Sequence, residues 1–121
     1  MQTKQEVICH YIGEYMGGRV SQDSVAQFVS QKTGYARRYG EAFLMCAKKM
    51  VSGECITRNV GVRILEVIAR FMIDNDHATK HNVIMALEKY VAYLPGNKIN
   101  HQFKNPEAVN GVIQRLRGLD K

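Results

Sequence analysis

Apolar residues recur at steps of three and four along almost the whole chain. This is the 3.6-residue period of an α-helix and differs from the two-residue alternation of a strand. Val7, Ile8, Tyr11, Ile12, Tyr15 and Met16 predict an amphipathic helix over about 4–16, stopping at Gly17-Gly18. A second helix, capped by Ser21 or Asp23, turns Val25, Phe28 and Val29 inward and ends near Gly34. A third, about 36–52, puts Gly40, Phe43, Leu44, Ala47, Met50 and Val51 on one side and closes at Ser52-Gly53. Residues about 60–74 repeat the pattern with Ile64, Leu65, Ile68, Phe71 and Met72, and break at Asp74-Asn75-Asp76.

Thr79 is the expected N-cap of a fifth helix, whose Val83, Ile84, Leu87, Tyr90, Val91 and Leu94 form the cleanest stripe and which Pro95-Gly96 ends. Asn105-Pro106-Glu107 then reads as cap, first-turn proline and dipole-matched acid, leading into Val109, Val112, Ile113, Leu116 and Leu119. The expectation is one all-α domain over 1–121, about six short helices in a compact bundle. Cys55-Ile56-Thr57-Arg58 is the one candidate for a short strand. A hydrophobic content of 45%, with 10 Gly and 2 Pro in 121 residues, excludes disordered and collagen-like chains. No apolar run approaches the roughly 20 residues that span a bilayer, and the polar start MQTKQEV does not read as a signal peptide. A cytoplasmic protein is expected.

Local motifs for catalysis are missing: there is no glycine-rich phosphate loop, no GxSxG and no cysteine in a catalytic setting. Cys9, Cys46 and Cys55 are too scattered for a disulfide framework or zinc ribbon and read as free thiols. His77 and His81 are four apart, but His77 falls before the expected N-cap and no protease-type glutamate follows it, so they read as loop histidines. The expectation is a non-enzyme that uses no metal and no cofactor.

Charge is the informative part of the composition. Lys and Arg number 17 against 11 Asp and Glu, a formal charge of +6, which suits a polyanionic partner. From Gln31 to Arg58 there are six basic residues and two acidic ones, so +4 of the excess lies in that one stretch. With Ala47 as the centre of the buried face, Phe43, Leu44, Met50 and Val51 lie within about 60° of it, while Arg38, Lys48 and Lys49 lie about 100° or more away. Arg37 is at the border, about 80° round. This puts the basic residues on an exposed surface with Glu41, Met45 and Ser52, Met45 being an outward methionine able to mark a contact surface.

Residues 22–44, QDSVAQFVSQKTGYARRYGEAFL, lay out a helix, a tight break at Gly34 and a second helix opening with two arginines. The stretch Thr33-Gly34-Tyr35-Ala36-Arg37-Arg38-Tyr39 resembles the Thr-Gly-Tyr-x-Arg-Lys/Arg-Tyr stretch in the helix-turn-helix of many transposase and integrase proteins. The resemblance covers about a fifth of the chain and implies that the arginine and its basic neighbour face DNA. The chain departs from that pattern at Gly40-Glu41, and nothing downstream resembles a catalytic acidic triad, so the resemblance implies a DNA-binding module without transposase activity.

The expected function is a small helix-turn-helix protein that binds double-stranded DNA, a transcriptional regulator or DNA-maintenance factor of a mobile element. In it Lys32, Tyr35, Arg37 and Arg38 enter or border the major groove, and Lys48, Lys49 and Arg58 neutralise phosphates. The stripe from Val109 to Leu119, or that from Val83 to Leu94, is available as a homodimer seam, with core packing as the other use for both. The competing class is a phage- or plasmid-type inhibitor or adaptor whose basic face docks on an acidic protein partner. RNA binding is a third.

Overall fold

The computed structural model describes residues 2–58, 60–94 and 106–120. Six α-helices run through them: α1 (Lys4–Met16), α2 (Gln22–Thr33), α3 (Arg37–Ser52), α4 (Val62–Asp74), α5 (Lys80–Tyr93) and α6 (Pro106–Arg117). The protein is all-α, and no strand occurs among the described residues. Cys55–Arg58, the candidate strand, is a coil that seats Ile56 in the core. No neighbouring extended segment pairs with it, so the apolar side chain is buried without a ladder.

The helix ends follow their chemistry. Thr3 caps α1, its hydroxyl accepting from the Glu6 N–H at 3.1 Å while the Glu6 carboxylate accepts from the Thr3 N–H at 3.0 Å. Ser21, rather than Asp23, caps α2, and Thr79 caps α5. Gly34 and Gly53 end α2 and α3 in the left-handed conformation, where a side chain would be strained. The expected stops at Pro95-Gly96 and the Asn105 cap lie outside the described residues; α5 runs out at Leu94, whose N–H bonds the Tyr90 carbonyl.

The third helix is the centre of the molecule, packing on α1, α2, α4 and α5, while α6 closes the far side against α4 and α5. Its buried arc is much wider than one stripe. Ala42, about 140° round the helix from Ala47, is only 4% exposed, and Cys46 is fully buried. Small residues on this second side let a second set of helices approach. In the opposite sense Val51, expected inward, is 40% exposed, because it lies in the last turn beside exposed Ser52. Met45, expected outward, is half-buried.

The α2–α3 crossing is tighter than ordinary side-chain packing allows. A Cβ on Gly40 would stand 3.0 Å from the Ala26 Cα and 3.1 Å from its carbonyl oxygen, so the two backbones meet there. Both stripes weighed as dimer seams are used inside the chain: Val83, Ala86, Leu87 and Tyr90 of α5 and Val109, Val112, Ile113 and Leu116 of α6 all join one core. Ile84, Val91 and Leu119 of the same stripes are half-buried against that core.

Polar clamps span the helices. Arg115 of α6 grips Glu66 of α4 through two bonds of 2.9 and 2.8 Å, and Arg70 adds a third at 3.4 Å. Arg117 reaches Glu88 of α5 at 2.7 Å. Lys80 of α5 donates to the carbonyls of Arg117 and Leu119 at 2.8 and 2.7 Å, and Lys89 to that of Gly53 at 3.0 Å, so two helix C-termini are closed by lysines. Gly40→Ala forces α2 and α3 apart; despite the gain in helix propensity, thermal or urea unfolding should register a loss of about 1–2 kcal/mol. The hydrogen bonds from Arg115 hold the Glu66 carboxyl below its ordinary 4.5. A lowered folded-state value contributes stability above 4.5 that is lost as pH falls through that lowered value. Arg115→Ala should therefore lower the urea midpoint at neutral pH, and its gap from the wild type should close in acid.

Candidate functional site

The turn between α2 and α3 is built by one side chain. The Thr33 hydroxyl donates to the Val29 carbonyl at 2.6 Å and accepts from the Tyr35 N–H at 3.2 Å. The Gly34 N–H closes on the Ser30 carbonyl at 3.0 Å. Tyr35 is thereby aimed back at the bundle. Its ring meets Phe43 edge-on at 5.7 Å and Tyr39 at 6.0 Å. It is a half-buried tyrosine that anchors the turn as well as flanking the surface.

Exposed side chains cluster at the start of α3. Arg37, Arg38, Tyr39 and Glu41 are open to solvent, whereas Ala42 to Met50 are buried or half-buried. The Arg38 guanidinium lies 5.2 Å from the Tyr39 ring centre, and Arg37 is 3.9 Å from Glu41, a loose exposed pair. After α3 the chain doubles back, so that Arg58 donates to the Arg38 carbonyl at 3.4 Å. Lys4, from the first turn of α1, holds its ammonium 4.9 Å above the Tyr35 ring. Lys32 is exposed in the last turn of α2.

The seven residues singled out from the sequence therefore divide. Tyr35, Arg37, Arg38 and Arg58 come together at the N-terminal end of α3, with Lys32 across the turn. Lys48 and Lys49 lie about 15 Å further along the helix axis, and neither is fully exposed. Lys48 donates to Gln22 at 2.9 Å and lies 5.9 Å from the Tyr15 ring centre; Lys49 pairs with Glu54 at 3.2 Å. Both are taken up by protein partners, Lys48 by α2 and α1 and Lys49 by the segment that follows α3. Lys4 went unnoticed because it stands outside the 22–44 stretch. The capping box Thr3-x-x-Glu6 marks the helix start that carries it, but nothing local couples that start to Tyr35.

Electrostatically this end is lopsided. Among the described residues, Arg19, Arg37, Lys49, Arg70, Arg115 and Arg117 each have a carboxylate partner. Lys4, Lys32, Arg38 and Arg63 have none, and Arg58 bonds only the Arg38 carbonyl. Lys4 and the Arg37-Arg38 pair also stand in first turns, where the helix dipole disfavours a cation.

The remaining candidates are placed as follows. His77 is half-buried against Phe71, His81 is exposed, and the described residues contain no group of His, Cys, Asp or Glu arranged to hold a metal. His10 lies 3.7 Å from Glu14, and His101 falls outside the described residues. The described residues enclose no ligand-sized pocket, and no described helix is long and apolar enough to cross a membrane. The chain matches no protein-family model, no curated protein and no solved structure. The three cysteines are free, and burial pushes the Cys9 thiol up to about 11. Alkylation of Cys9, read by mass spectrometry of its peptide, should keep accelerating as pH rises towards about 11.

Proposed function

We propose that this chain binds double-stranded DNA through the N-terminal end of α3, with α2, the Thr33-Gly34-Tyr35 turn and α3 acting as a helix-turn-helix. The observation that carries this reading is the convergence of exposed Arg37 and Arg38, with Tyr35, Tyr39 and Arg58, at one end of the bundle, where the carboxylate of Glu41 makes only a loose 3.9 Å contact with Arg37. Such a surface suits a regulator or DNA-maintenance factor of a mobile element, working without a cofactor and inside the cytoplasm.

The enclosure of α3 shapes how binding would work. A helix buried or half-buried from Ala42 to Met50 would not lie along a groove about 12 Å wide; it would present its first turn. Arg37 and Arg38 are then the residues able to meet base edges, with Lys32 and Arg58 on phosphates beside them. Lys48 and Lys49, engaged with Gln22 and Glu54, add little. Affinity would come mainly from phosphate neutralisation and sequence preference from few base pairs.

The same enclosure favours a second reading, a blunt basic knob that docks on an acidic protein surface. Fluorescence anisotropy with a random-sequence duplex at low salt distinguishes the two. DNA binding predicts micromolar affinity at low salt and a steep salt dependence; Lys32→Ala with Arg58→Ala should flatten the log–log salt slope by about two units, while Arg37→Ala with Arg38→Ala should weaken binding and erase any preference among sequences. No binding to duplex at low salt, or wild-type affinity in Arg37→Ala with Arg38→Ala, overturns the DNA reading. A marked preference for structured or single-stranded RNA would redirect it to RNA.

A further inference from the structure

We infer that Lys4 belongs to the same anion-binding surface as Arg37 and Arg38, as a phosphate contact held in place by Tyr35; the inference rests on the DNA reading above. The residue lies 29 positions before the start of the Thr33–Tyr39 motif, and only the fold brings it there.

Three observations carry it. The Lys4 ammonium lies 4.9 Å from the centre of the Tyr35 ring, close enough for a cation–π attraction that orients the charge without neutralising it. Lys4 has no carboxylate partner among the described residues and its side chain is exposed, so its N–H donors remain free for an oxygen ligand. The ring beneath it is itself immobilised, by Phe43 edge-on and by the Tyr35 N–H on the Thr33 hydroxyl.

Geometry extends the surface in one direction. From Lys4 the path runs over Tyr35 to Tyr39, 6.0 Å away, and on to Arg38, 5.2 Å beyond, so two unpaired cations are spaced by two aromatic rings. A duplex can engage both ends of such a row, with a backbone phosphate on Lys4 and a base edge at Arg38. Lys4 is charged at the first residue of α1, where the dipole disfavours it, so helix stability does not explain its position. Its role would be to fix the orientation of the first turn of α3 on the duplex, since it approaches from a different helix.

The test uses the full chain and two random-sequence duplexes in anisotropy titrations from 50 to about 200 mM salt. Lys4→Ala should weaken binding about threefold near the upper salt limit, equally for both sequences, and flatten the log–log slope by about 0.9. Lys4→Arg should restore the wild-type slope. Tyr35→Leu, which removes the ring beneath Lys4, should reproduce the Lys4→Ala slope. Circular dichroism melting of Lys4→Ala should match the wild type, because the side chain is exposed. A wild-type slope in Lys4→Ala, with wild-type DNA binding intact, overturns the role of Lys4 alone. Absence of duplex binding by the wild type itself overturns the underlying DNA reading and this inference with it.

Discussion

The meeting of the Gly40 and Ala26 backbones is the constraint from which the rest of the molecule follows. With no side chain at Gly40, α2 comes within backbone distance of α3, and Val29 lies 3.4 Å from where a Cβ would be. Drawn in on that side, α3 is met on its others by α1, α4 and α5. A helix enclosed in this way has little free flank, and its ends become its only extended surfaces. The C-terminal end is closed by Lys89 on the Gly53 carbonyl and by Asn82 on that of Val51, at 3.1 Å. What remains open is the first turn, with Arg37, Arg38, Tyr39 and Glu41.

Charge is divided between two tasks by the same arrangement. Glu66 takes both Arg70 and Arg115, Glu88 takes Arg117, Glu14 takes Arg19 and Glu54 takes Lys49. These exposed pairs contribute little each, but they consume the carboxylates that would otherwise offset the excess of cations. Lys80 and Lys89 are spent on helix carbonyls. A net charge of +6 spread over the sequence thus becomes, in three dimensions, a set of structural cations and a smaller set left over, of which Lys4, Arg38 and Arg58 meet at one end. Lys32 and Lys49 lie at helix C-termini, where the dipole welcomes them. Lys4, Arg37 and Arg38 sit at helix starts, where it does not.

The helices were legible in the sequence because periodicity and end chemistry agree: Ser21, Thr79, Gly34 and Gly53 all act where their residue types predict. The breadth of burial on α3 was not. A single stripe centred on Ala47 captures Phe43, Leu44 and Met50, but Ala42 and Cys46 are small residues whose burial depends on what approaches them. Gln22 of α2 and Tyr15 of α1 engage Lys48, and Glu54 just after α3 engages Lys49, partnerships which a helical wheel, blind to neighbours, assigns to solvent. Val51 errs the other way, since a wheel has no ends and the molecule does. Within the candidate site, Arg37 and Arg38 could be read from the 33–39 stretch. Lys4 could not, because its place depends on how α1 lies against the turn, which is set by packing between residues far apart in the chain.

These features bear on one another through the electrostatics of the exposed end. Helix starts carrying Lys4, Arg37 and Arg38 set cations against the positive ends of their own dipoles, a small cost to the bare chain. The tyrosine rings offset part of it, since each presents a negative face to a cation. An anionic partner would remove the rest, and whatever binds the folded chain alone also stabilises it. On the proposed reading the surface would favour polyanions over neutral partners. If the partner is DNA, Arg37 and Arg38 would reach it from a helix largely enclosed beyond its first turn, so shape and charge would dominate recognition and base identity would contribute through one short helical turn.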